Sequence, residues 1–155
     1  MSVVKRLKMF LDIEAVKYTT CTHSKAYTAQ EIAASSHVSG KTFAKTVVVK
    51  TGSELMLVVL PAAARISLKS LATQLSVDPV EIATEDEFRQ LFLDCETGAM
   101  PPFGNLYNLK TIIARELAAC DHLSFNAGNH VEIVHLAMDD YLRLVKPRVL
   151  DFELD

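Results

Sequence analysis

The chain has no apolar run long enough to cross a bilayer. Its longest runs, such as residues 55–60, fall far short of the ~20 residues that a spanning helix needs. The opening Met1-Ser2-Val3-Val4-Lys5-Arg6-Leu7-Lys8 breaks its apolar residues with charge, so no signal peptide is expected and a cytoplasmic location is. Three cysteines (Cys21, Cys95, Cys120) form an odd, scattered set without CxxC spacing, and read as free thiols rather than a disulfide framework. The five histidines show no metal-ligand spacing with them, so neither a zinc site nor any other metal is expected. A GxSxG elbow, an HExxH pair, a phosphate-binding P-loop and a dinucleotide fingerprint are all missing from the sequence. No cofactor is therefore expected, and any chemistry must rest on quieter groups.

What is present is an ordinary globular composition: 155 residues, half of them apolar and 23% charged. With no repeat, low-complexity tract or linker, residues 1–155 read as one domain. The net charge of −3 hides an asymmetry. Residues 1–50 carry eight basic side chains against three acids, whereas residues 51–155 carry eight against sixteen. A basic half can hold an RNA end locally without indiscriminate binding; it also fits a solvated surface with uneven charge.

Periodicity predicts a helix over residues 2–11 with Ser2 as cap and Val3, Val4, Leu7, Phe10 and Leu11 on one stripe. A short strand follows at 16–20. Thr28-Ala29-Gln30-Glu31 is a capping box opening a helix through about Ser35. Runs 44–50 and 55–60 flank Thr51-Gly52-Ser53-Glu54, which is a hairpin signal. Residues 67–75 read as a helix with Leu68, Leu71 and Leu75 inward. A second capping box at 84–87 leads Phe88, Leu91 and Phe92 into the core. Residues 94–108 form a loop, strands are expected at 111–114, 123–127 and 131–136, and Asp139 is placed to cap a last helix. Five or six strands with four or five helices give an α/β or α+β domain, with a curled sheet and helices outside it.

Three places could carry chemistry. Gly98-Ala99-Met100-Pro101-Pro102-Phe103-Gly104 combines stiff prolines with glycines that let a ligand approach the backbone. Its amides could polarise an ester carbonyl; a rigid crossover is the alternative. Lys45 shares a strand face with Val47 and Val49. If that face is inward the ammonium needs an anionic or dipolar partner; otherwise its head reaches water. His130 follows a Gly-Asn turn and could overhang a cavity, and His23 lies on a loop before the first capping box. Both also fit surface polar residues.

Four stretches stand in order: His23-Ser24-Lys25-Ala26-Tyr27-Thr28-Ala29-Gln30-Glu31, then Ala44-Lys45-Thr46-Val47-Val48-Val49, the loop at 98–104, and Phe125-Asn126-Ala127-Gly128-Asn129-His130. In these the chain resembles the YbaK/prolyl-tRNA synthetase-associated editing domains along nearly its full length. The resemblance implies a compact α/β fold, with a mixed, strongly bent, barrel-like sheet surrounded by helices and a pocket between them. It implies a free-standing hydrolase that deacylates mischarged tRNA at the terminal adenosine. Lys45 and Gly98 would be catalytic. His23, Tyr27, Thr46, Pro101, Pro102, Phe103, Gly104, Asn129 and His130 would line the substrate site. The expected partners are a tRNA acceptor end and a synthetase, the chain acting as monomer or homodimer. Thr46 stands where the alanine-specific prolyl branch carries Asn, so a relaxed preference among small amino acids is expected. Two rivals remain: a non-catalytic tRNA- or synthetase-binding module of the same fold, and a hydrolase of small aminoacyl esters.

Overall fold

The computed structural model describes residues 4–22 and 42–154. The first apolar stripe forms α1 (Lys5–Ile13), which buries Leu7 and Leu11. Ser2 lies outside the described residues; Val4 takes the cap position with no side-chain cap. Its amide donates to the Ala127 carbonyl, which ties the helix to a turn far along the chain. The Thr28–Glu31 capping box and its helix also lie outside the described residues.

Strand β1 (Tyr18–Thr22) begins two residues later than expected. The hairpin forms as expected: β2 (Ala44–Thr51) pairs antiparallel with β3 (Glu54–Pro61), from Ala44 opposite Pro61 to Thr51 opposite Glu54. Gly52 takes the positive φ of +64° that the tight turn requires. Helix α2 (Leu68–Leu75) is capped by Ser67, whose hydroxyl accepts from the Ser70 amide. Leu71 alone in it is fully buried; Leu68 and Leu75 pack at the margin.

After β4 (Glu81–Ile82), the Thr84–Glu87 capping box opens α3 (Glu85–Phe88) with both reciprocal hydrogen bonds. The chain then tightens into a 3₁₀ turn over Arg89–Leu91. That change of period rotates Leu91 outward, to 39% exposure, while Phe88 and Phe92 stay in the core. The sequence expectation of three inward residues is corrected here.

Strand β5 (Lys110–Ala114), α4 (Arg115–Ala118), β6 (His122–Asn126), β7 (Glu132–Ala137), α5 (Met138–Val145) and β8 (Arg148–Leu150) complete the chain. Asp139 sits within the first turn of α5, and Ala137 occupies the cap. An acid in that turn still favours the helix dipole.

The strands form two sheets. One is five-stranded, in the order β4-β2-β3-β5-β8, with β3, β5 and β8 parallel. The other is an antiparallel trio, β1-β7-β6. They meet at a parallel bridge between Phe43 and Ser124. The α/β class with mixed strand directions is as expected, but the barrel-like closure is not formed among the described residues. The large sheet ends on β4 and β8, two and three residues long, too short to carry a ladder round to the small sheet. Apolar faces of both sheets, α1 and α5 share one core. At its centre the Phe103 ring meets Phe10, Phe125 and Tyr141.

Candidate active site

Lys45 is the second residue of β2, opposite Leu60. The period of two places it on the face of Val47 and fully buried Val49. Its ammonium is half-buried and its pKa is lowered, first by burial and then by the Arg65 charge. No carboxylate among the described residues pairs with it. An isolated, partly desolvated cation of this kind favours an anionic or carbonyl ligand. Thr46 projects to the opposite face by strand alternation, so the two expected neighbours do not share one wall.

The Gly-Pro-Pro loop is fixed at several points. The Glu96 amide donates to the Gly128 carbonyl (2.7 Å) and the Gly128 amide to the Ala99 carbonyl (2.8 Å). His130 Nε2 lies 2.7 Å from the Thr97 carbonyl. A carbonyl only accepts, so Nε2 carries the proton. The His130 amide donates to Glu96 Oε1. Tyr141, fully buried, donates its hydroxyl to the Pro102 carbonyl at 2.6 Å. The Gly104 amide donates to Thr111 Oγ1. A Cβ on Gly104 would lie 2.2 Å from that oxygen, so only glycine fits.

This bonding narrows which amides a ligand can use. The Ala99, Phe103 and Gly104 amides are committed to Glu96, Pro101 and Thr111. Pro101 and Pro102 have none. Among the described residues the Gly98 and Met100 amides have no such partner; Met100 is buried, whereas Gly98 is exposed, with a φ of +85° that L side chains rarely adopt. The Met100 side chain packs with Phe88, Phe92 and Tyr107. Pro101, Pro102, Phe103 and Gly104 are buried. They shape the loop from within, and the Phe103 side chain is in the core rather than on a pocket wall. Asn129 is buried too: its Oδ1 accepts from the Val131 and Glu132 amides, fixing the turn that carries His130. His23 and Tyr27 lie outside the described residues.

A profile of the aminoacyl-tRNA editing domain matches residues 23–144. The chain belongs to this family. No curated protein matches the sequence. Among solved structures, a hypothetical protein is similar at 19% identity and a TM-score of 0.84, over 97% of this chain and 100% of that one. A proposed trans-editing enzyme for prolyl tRNA synthetase is similar at 19% identity and a TM-score of 0.82, over 97% and 96%. A proposed signal transduction protein from Marinobacter aquaeolei matches 97% of this chain with 30% of its own length, at 14% identity and a TM-score of 0.76. At these identities the structures establish the shared fold.

Within this editing domain the described side-chain nucleophiles are poorly placed. Cys95 is hydrogen-bonded to Tyr107, and burial pushes its thiol up to about 12, so it is protonated at neutral pH. Ser124 Oγ lies 2.6 Å from His135 Nδ1, which imitates a catalytic dyad. Ser124 is however fully buried. His135 stacks on His122, no carboxylate among the described residues orients it, and its pKa is lowered by burial. Among the described residues no group of three metal-ligating side chains occurs, and no helix is long and apolar enough to cross a membrane.

The basic N-terminal half is partly used internally. Arg6 bonds the Leu106 carbonyl and covers the Tyr107 ring, and Lys50 pairs with Glu87. Lys5, Lys8 and Lys17 remain exposed. Lys25 and Lys41 lie outside the described residues. Sequence reasoning did not single out Tyr141 or Glu96, whose bonds to the Pro102 carbonyl and the His130 amide hold the loop and its neighbouring turn.

Proposed function

We propose that this editing domain, residues 1–155, is a trans-acting deacylase that hydrolyses the ester between a small, wrongly attached amino acid and the terminal adenosine of tRNA. The observation that carries this reading is the loop at 98–104. Among the described residues its amides are committed one by one until Gly98 and Met100 are left, and the backbone that carries them is clamped by His130 and Tyr141. A rigid pair of donors is what a developing oxyanion needs.

An aminoacyl ester is already activated, so positioning and electrostatics can supply most of the barrier reduction without a protein nucleophile. The Gly98 and Met100 amides bind the carbonyl oxygen and strengthen as its charge grows. Lys45 anchors the terminal phosphate or ribose end. The substrate's free ribose hydroxyl orients a water for attack. The buried, protonated Cys95 and the buried Ser124 stay out of the reaction. The partner is the acceptor end of a mischarged tRNA, alone or delivered by a synthetase.

Incubation with a panel of misacylated tRNAs tests this. At least one small aminoacyl ester should be released far faster than its spontaneous hydrolysis. A chain that binds tRNA and releases none would be a binding module.

A further inference from the structure

The large sheet carries a cavity at the end remote from Lys45. Strands β3, β5 and β8 run parallel. Where they begin, the C-terminal ends of α2 and α5 leave a space of about 390 Å³ against the sheet. Met56 and Ile112, both buried, face it from the strands, and Leu75, Val77 and Val145 face it from the helix ends. Met56 lies four residues back along β3 from Leu60, the partner of Lys45, which is about 13 Å at ~3.3 Å per residue. The cavity is therefore a place apart from the lysine. Its link to the Gly98 loop is Thr111, which lines it and whose Oγ1 accepts from the Gly104 amide.

The mouth of the cavity is cationic. Lys110 there is held by Glu54 at 3.1 Å. Lys146 and Arg148, on either side of Pro147, line the mouth as well, and among the described residues no carboxylate pairs with either. β8 is an edge strand, and a charge on an edge can serve merely to discourage a further strand. Arg148 is placed for more than that. It is the register partner of Ile112, so its side chain stands on the sheet face that forms the cavity floor.

The chemistry of the ligand follows from the two halves of the lining. An inorganic anion would meet the cations and leave the apolar walls wet. A neutral apolar molecule would fill the walls and set no charge against the cations, and a cation would be repelled. An apolar body with an anionic head answers both. The arginine fork takes a carboxylate or a phosphate through two parallel bonds, and the lysine adds a point charge. The volume lies at the small end of the ~300–1,000 Å³ range of ligand sites, which limits the body to a single ring or a short chain. We propose that this cavity is a second ligand site that takes a small amphipathic anion, its body against Met56 and Ile112 and its carboxylate or phosphate head on Arg148 and Lys146.

The probes are phenyl phosphate and phenylacetate, with benzyl alcohol as the neutral counterpart and inorganic phosphate as the head alone. Each is titrated into the full chain and followed by NMR, alongside melting curves. At least one aryl anion should saturate, moving the Met56, Ile112 and Val145 methyls together with the Gly104 amide. Benzyl alcohol and inorganic phosphate should bind about fivefold more weakly or worse. Arg148→Gln should weaken the aryl anion by a similar factor and leave benzyl alcohol as it was; Lys146→Gln is read in its place if that variant fails to fold. Val77→Trp, at an exposed wall position, should block every aryl probe. The tighter of the two aryl anions assigns the head as phosphate or carboxylate. Absence of saturable binding by either anion, equal affinity for benzyl alcohol, affinity unmoved in the charge variant, or shifts centred on Lys45 and Gly98 would overturn the proposal. Deacylation enters none of these readouts, so this site and the deacylase reading stand or fall separately.

Discussion

Substitution of Gly98 is the sharpest perturbation of the loop. Its φ of +85° is one that L residues rarely adopt, and imposing it on a side chain costs about 1–3 kcal/mol. There is room for a Cβ and little beyond it: the Cβ would sit 3.4 Å from His130 Cε1. Alanine makes that ordinary contact and bears the backbone strain alone. Valine projects methyl groups into the ring, and His130 must then leave its 2.7 Å bond to the Thr97 carbonyl. In a chain of this length each kcal/mol lowers Tm by about 2–4 °C, so Gly98→Ala should melt a few degrees lower and keep part of its activity. Gly98→Val should displace the amide donor, for which a loss of about 10²–10³ in kcat is expected. The loss should appear equally in kcat and kcat/KM, as for a contact made in the transition state. Thermal melts and initial deacylation rates on the best substrate measure both. Gly98→Val with parental kcat would refute the backbone-amide mechanism, whatever its Tm.

Other perturbations address separate parts of the account. Tyr141→Phe leaves the buried Pro102 carbonyl without its donor, so denaturant unfolding should show a loss of about 1–3 kcal/mol, with deacylation falling as the loop loosens. Lys45→Met should cut kcat/KM by about tenfold or more, as for a charged contact of ~1.5–3 kcal/mol, without lowering Tm, because burial and Arg65 already disfavour the ammonium. Glu87 is held at about 2 by Lys50 and the Thr84 cap. A depressed carboxylate stabilises the fold above its ordinary pKa and loses that contribution as pH falls through the depressed value. Glu87→Gln should therefore melt lower than the parent at pH 7, the difference closing as pH falls from about 4.5 toward 2.

Much of the fold was legible because local chemistry and tertiary packing agree. The hairpin at Gly52, the Ser67 cap and the Thr84–Glu87 capping box each encode their own geometry. Leu91 was not legible: α-period and 3₁₀-period readings diverge within one turn, and nothing in the sequence announces the tightening at Arg89. The short strands β4 and β8 carry too few residues for a periodic signal and exist through pairing with β2 and β5. In the site, Lys45 and the Gly-Pro-Pro loop stand out by residue type. The role of Tyr141 depends on a contact made across the fold, to the Pro102 carbonyl, which no local pattern encodes.

The most direct test of the central claim is a single-turnover measurement of amino-acid release from the best misacylated tRNA, with parent and Lys45→Ala compared at saturating protein. The account predicts rapid ester cleavage by the parent, and a large loss in Lys45→Ala with its melting curve intact. Parental rates in Lys45→Ala, or tRNA binding without any release by the parent, would contradict it.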